Sequence, residues 1–111
     1  MSNSNPLKTV VVYATPSDKE PFTIWLNNIR DARTRRRILQ RLIRLESGNF
    51  GDYKFVGDGV SELRISFGPD YRIYFGLDGD TIVVLLCGGD KGSQRRDIQQ
   101  AKAYWKEYLN L

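Results

Sequence analysis

Residues 53–91 read YKFVGDGVSELRISFGPDYRIYFGLDGDTIVVLLCGGDK, and this stretch decides the fold. It holds three strand-like runs: Ser61–Phe67 (SELRISF), Tyr71–Leu77 (YRIYFGL) and Thr81–Cys87 (TIVVLLC). Gly68-Pro69-Asp70 joins the first two with residues that set turn backbone angles. Asp78-Gly79 joins the second and third as a hairpin signal, because a type I′ turn needs positive φ at both central residues. The third run is continuously apolar, which suits a strand buried on both faces.

Side chains alternate across a strand, so the turns decide which residues share a face. A first turn centred on Pro69 sets Ile65 opposite Ile73 and Leu63 opposite Phe75. A second turn closed at Asp78-Gly79 sets Phe75 opposite Ile82 and Ile73 opposite Val84. One face is then expected to carry Leu63, Ile65, Ile73, Phe75, Ile82, Val84 and Leu86 as a core. The other carries Glu62, Arg64, Ser66, Arg72, Tyr74, Val83, Leu85 and Cys87. Arg64 and Arg72 fall on adjacent strands of this second face, and Lys91 emerges from the Gly88-Gly89-Asp90 turn, so three cations converge on one sheet surface.

Working outward, Thr9–Ala14 (TVVVYA) has the β-branched content of a strand and is expected at a sheet edge. Ser17-x-x-Glu20 matches a capping box with Pro21 in the first helical turn. Phe22, Trp25, Leu26 and Ile29 follow helical spacing, and Ile98, Ala101, Trp105, Tyr108 and Leu109 give the last helix its apolar side, so both tryptophans are expected in the core. Arg30–Glu46 carries Ile38, Leu39, Leu42, Ile43 and Leu45 as an apolar stripe, and Asp31 caps it or opens its first turn. Seven arginines, at 30, 33, 35, 36, 37, 41 and 44, fill the rest. Such density repels itself unless an anionic partner offsets it, so nucleic acid and an acidic protein segment are the two candidates. Arg35, Arg36 and Arg37, the densest part of this group, are the expected nucleic-acid contacts. Ser93 is expected to cap a last helix reaching Tyr108. The expected architecture is a single α+β domain over residues 1–111 in the order β-α-α-β-β-β-α, with a mostly antiparallel sheet, a helical hairpin on one face and a C-terminal helix. Residues 1–6, small and polar, are expected to be frayed.

The chain has 41% apolar and 27% charged residues, the balance of an ordinary globular domain, and its net charge of +4 favours anionic partners. A lone cysteine in an apolar strand, with no histidine to activate it, reads as an inert buried thiol and excludes a structural zinc site. No run approaches the roughly 20 apolar residues of a membrane span, and no signal-peptide pattern opens the chain, so the cytoplasm is the expected compartment. Gly88–Ser93 lacks P-loop spacing but follows a strand and opens a helix, where backbone N–H groups and Lys91 could meet a phosphate.

Converging cations fit phosphodiester chemistry. Attack of an RNA 2′-hydroxyl on its adjacent phosphate builds charge on the non-bridging oxygens, which Arg64, Arg72 and Lys91 would stabilise without metal or cofactor. Lys91, Tyr74 and Glu62 are candidates for the proton-transfer roles. A purely structural reading stands beside this: Arg64 paired with Glu62 or Asp70, and Tyr74 packed against Val83.

Two blocks, WLNNIRDARTRRRILQRLIRLESGNFGDYKFVGDGVSELRISFGPDYRIYF and LLCGGDKGSQRRDIQQAKAYW, resemble the RelE/ParE toxin superfamily, in its HigB-like "addiction module killer protein" branch. The resemblance implies a type II toxin–antitoxin toxin that cleaves messenger RNA on the ribosome and is neutralised by an antitoxin, usually a small helix-turn-helix DNA-binding protein. It places a strand arginine of that family at Arg64, preceding lysines at Lys54, and Lys91 where relatives carry arginine. Lys54 and Tyr74 join the expected RNA contacts. A relative's catalytic tyrosine has no counterpart near Asp97 and Ile98. A non-catalytic inhibitor of DNA gyrase, as in the ParE branch, and a degenerate binding module are the alternatives.

Overall fold

A computed structural model describes residues 7–110, so the expectation for residues 1–6 lies outside the described residues. The elements run β1 (Thr9–Val12), α1 (Pro21–Asn27), α2 (Ala32–Glu46), β2 (Tyr53–Gly57), β3 (Val60–Ile65), β4 (Tyr71–Asp78), β5 (Ile82–Gly89), a 3₁₀ turn (Lys91–Ser93) and α3 (Gln94–Tyr108). The five strands order as β1-β5-β4-β3-β2. β1 joins the edge parallel to β5, and every other pair is antiparallel. The α+β architecture is the expected one, with one strand more. That strand, β2, is hidden in the sequence because glycine-dense Gly57-Asp58-Gly59 follows it. In the structure those three residues all take positive φ and close a tight hairpin onto β3.

Each sheet face has its own core. Phe22 of α1 and Ile38, Leu42 and Leu45 of α2 pack on Leu63, Ile65, Ile73, Phe75, Val83 and Leu85. On the opposite face Ala101 and Trp105 of α3 pack on Val60, Tyr74, Val84, Leu86 and Cys87. β5 is thus buried on both sides, as its unbroken apolar run requires.

The allocation of β5 to faces differs from expectation. Asp78 pairs with Ile82 across a three-residue connection, Gly79-Asp80-Thr81, rather than a two-residue turn. One residue of slip exchanges the two faces of a strand. Val83 and Leu85 therefore join Phe75, while Ile82, Val84 and Leu86 turn toward α3. An irregularity between Tyr74 and Phe75 adds Leu86 as an extra residue and returns Cys87 to the side of Tyr74. The first hairpin is shifted by two residues, pairing Leu63 with Ile73 and Ile65 with Tyr71, and so keeps every face as expected.

Two glycines let the tryptophans lie on the sheet. A Cβ at Gly76 would come within 2.5–2.6 Å of the Trp105 ring, and one at Gly88 would overlap the Trp25 ring. Trp105 is buried and Trp25 half-buried against the α1/α2 core. Among the caps, Asp31 accepts from Arg33 N at 3.0 Å as expected. Ser17 instead hydrogen-bonds Thr15, and Glu20 is the N-cap residue of α1, without a side-chain capping hydrogen bond. Ahead of α3, Asp90 caps the 3₁₀ turn by accepting from Ser93 N at 3.1 Å. Ser93 occupies the N-cap position of α3 as expected, but its side chain makes no capping hydrogen bond to that helix.

Candidate functional site

β3 alternates between the two layers, so Glu62 points into the α3 side beside Arg64. Glu62 has no exposed surface and collects three hydrogen-bond donors and one ion-pair partner. Its Oε1 receives Arg64 Nε at 3.1 Å. Its Oε2 receives Tyr74 Oη at 3.1 Å and Gln94 Nε2 at 2.8 Å, the latter from the first residue of α3. Arg72 Nε lies 3.4 Å from Oε2, close enough for an ion pair but without hydrogen-bond alignment. Arg72 is fixed further by Nη1 donating to the Asp70 carbonyl at 2.8 Å. The two arginines differ in access: the Arg72 side chain is 10% exposed and that of Arg64 36%.

Burial alone would raise the Glu62 carboxyl, but donors from Gln94, Arg64 and Tyr74 and the charge of Arg72 outweigh it and hold Glu62 below its ordinary value. Tyr74 shifts the other way, pushed up by burial and by the neighbouring Glu62. Glu62 thus stays ionised and Tyr74 neutral across the physiological range. Both are fully buried and line neither of the open depressions beside Arg64, so neither faces a substrate hydroxyl. The expectation that Tyr74 touches RNA, and that Glu62 or Tyr74 transfers a proton to it, is corrected by this burial. They hold the arginines in place.

Arg64 also lines an open cleft of about 360 Å³ between α2 and the end of β3, walled by Arg37, Gln40, Arg41, Arg44, Asp52, Ile65, Ser66 and Phe67. A smaller depression continues past Arg64 to Asp70 and Arg72. Arg37 stacks its guanidinium 4.3 Å from the centre of the Phe67 ring.

Arg64 and Arg72 are brought together as expected. Lys91 is exposed beyond the end of β5, with its N–H toward the Pro69 carbonyl, and lines neither depression. Lys54 is exposed on edge strand β2 opposite Glu62. Of the expected trio, Arg35 donates to the Ile29 carbonyl and ties the α1–α2 link, Arg36 faces solvent, and only Arg37 enters the cleft. Gly88–Ser93 is an unfavourable phosphate cradle, because Ser93 hydrogen-bonds Asp90 and Asp97 and their carboxylates occupy the turn.

Gln40, Arg41, Arg44 and Ser66 are the residues not anticipated. A signal was present: Arg37, Gln40, Arg41 and Arg44 repeat at i, i+3, i+4, i+7, a polar stripe with the same period as the apolar one.

Comparison with known proteins adds the chain's relationships. A family profile described as phage derived protein Gp49-like (DUF891) matches residues 25–106, which include α2, β2–β5 and most of α3. A protein of Haemophilus influenzae (strain Rd), described as an uncharacterized protein, is 46% identical over 86 residues, covering 78% of this chain and 87% of the relative.

Proposed function

We propose a toxin function on the premise that this chain belongs to the Gp49-like phage-derived family, a family associated with toxin–antitoxin modules. In this reading the protein is a metal-independent endoribonuclease that cuts messenger RNA on the ribosome and arrests growth until an antitoxin binds it. The RelE/ParE-type resemblance of the sequence supports the same class. The observation that carries the reading is the Arg64–Arg72 pair, oriented by one buried carboxylate at the rim of an arginine-walled cleft.

A 2′-hydroxyl attacks its own phosphate, the P–O5′ bond breaks, and a cyclic phosphate forms as the 5′-oxygen leaves. Negative charge grows on the non-bridging oxygens during attack. Arg64 holds Glu62 through Nε, which leaves its Nη edge for those oxygens. Arg72, largely buried, supports the potential at the same spot. One such preorganised donor contributes on the order of 10²–10³ in rate. Lys91, exposed beyond the end of β5 with its N–H toward the Pro69 carbonyl, serves as the proton-transfer candidate of this reading.

The test is induced expression in a bacterial host of wild type and the Arg64→Ala/Lys91→Ala variant, with growth followed and messenger-RNA 5′ ends mapped. Growth arrest with new ends inside translated frames, both lost in the variant, is the expected result. Arrest that persists in the variant without new ends would transfer the assignment to a non-catalytic inhibitor such as a gyrase-directed toxin.

A further inference from the structure

We propose that the cleft between α2 and the end of β3 binds the sugar–phosphate backbone of single-stranded RNA, with Arg41 as its buried phosphate contact. This rests on the ribonuclease reading and extends it from the scissile phosphate to a neighbouring one.

Arg41 is a charged residue placed where a structural role would use an apolar one. It is only 8% exposed, between the core positions Ile38, Leu42 and Leu45. Its Nη2 donates to the Asp52 carbonyl at 3.2 Å. Its Nη1 is buried and has no hydrogen-bond partner among the described residues. A buried guanidinium with an unmet N–H is costly, so its presence asks for an acceptor. The chain also makes room for the group. Gly51 has φ +63°, and a Cβ there would lie 2.6–2.9 Å from three atoms of the Arg41 guanidinium.

The rest of the cleft points to the same ligand. Four arginines line it (37, 41, 44 and 64) against one carboxylate, Asp52. Arg64 belongs both to this cleft and to the depression at Arg72, so a bound strand could place consecutive phosphates along one path. The Arg37–Phe67 stack at the wall offers a flat cationic surface suited to a nucleobase. An acidic peptide would use the charge but not that surface, which is why RNA is favoured over it.

The experiment uses the full chain and a fluorescent 2′-O-methyl dodecanucleotide, whose blocked 2′-oxygen prevents cleavage. Affinity is read by anisotropy from 25 to 200 mM salt, with melting temperatures recorded in parallel. Arg41→Met is expected to weaken binding about 10-fold at 100 mM salt and to reduce the salt slope by about 0.7, the value for one lost single-strand phosphate contact. Its melting temperature should stay level or rise, since an unmet buried charge is gone. Arg44→Gln, on the exposed part of the same wall, should also lose slope, so the idea remains testable if Arg41→Met fails to fold. Lys106→Gln, on α3 across the sheet, should bind within about twofold of wild type.

Wild-type slope and affinity in folded Arg41→Met, or in Arg44→Gln, would overturn the proposal. So would a poly-glutamate chain that competes with the oligonucleotide and loses affinity equally in Arg41→Met, which would make the cleft a peptide site. These failures leave the nuclease reading intact if wild type still creates new messenger-RNA ends in cells. Absence of those ends instead would overturn the nuclease reading itself.

Discussion

Arg64 on β3 and Arg72 on β4 stand directly opposite each other, and one carboxylate, Glu62, accepts from Arg64 Nε at 3.1 Å and forms an ion pair with Arg72 Nε at 3.4 Å. Like charges paired across strands repel, so this couple exists only because a buried anion sits between them. The arrangement makes Glu62 a positioning residue for the arginines and ties stability to the same atoms as activity.

Removing Glu62 strands Arg72 in the interior without its counter-charge. Glu62→Ala is expected to cost about 3–5 kcal/mol, the range for breaking a buried ion pair from one side. Urea denaturation of the purified chain reads this directly, and a loss below about 1 kcal/mol would contradict the role given to Glu62.

The pH dependence has a defined sign. Glu62 is held below the ordinary glutamate range in the folded protein, so near pH 4 the unfolded chain binds more protons. The stabilisation is complete above about pH 5 and is lost as pH falls through the lower folded value. Melting temperatures from pH 7 to pH 3 should fall in wild type. Glu62→Gln, which cannot titrate, should be less stable at pH 7 and should show a shallower fall.

Arg64 and Arg72 should separate activity from stability. Arg64 is partly exposed, so Arg64→Ala is expected to lower cleavage about 10²–10³-fold while costing less stability than Arg72→Ala. Arg72→Ala should lower both, because it removes the buried counter-charge 3.4 Å from Glu62. Cleavage rates on programmed ribosomes, set beside denaturation midpoints, give the comparison. Equal stability loss in the two variants would contradict the difference in their burial.

Gly76 and Gly88 are predicted to be intolerant for steric rather than conformational reasons. Gly76→Ala drives a methyl into Trp105 and Gly88→Ala one into Trp25. Each overpacking should cost about 1–3 kcal/mol. Trp25→Leu should partly relieve Gly88→Ala but not Gly76→Ala, and a double-mutant cycle by denaturation measures that selectivity.

Cys87 should behave as an inert thiol. It is 7% exposed, and burial together with nearby Asp97 pushes it up to about 12. Iodoacetamide at pH 8 is expected to label the folded chain at least ~100-fold more slowly than free cysteine. Rapid native labelling would mean that the α3 layer opens readily.

The sequence alone determined the element types and their order, apart from β2, because periodicity and turn chemistry are local properties of the chain. It also determined that Arg64 and Arg72 share a face, since a two-residue shift of the first hairpin preserves alternation. The length of the second connection was not legible: Asp78-Gly79 has the composition of a two-residue turn, and only packing of Val83 and Leu85 against α1 and α2 selects the three-residue closure. Burial decided the roles within the site. Glu62 and Arg64 on β3 and Tyr74 on β4 look equally available on one shared face, yet α3 lays Gln94 over that face and the first and last of these are sealed, leaving Arg64 at the rim. The Arg41 cleft likewise needs two distant segments, α2 and the end of β3, to meet. Residues at helical spacing announce a stripe, but only the tertiary structure supplies the opposing wall that turns a stripe into a site.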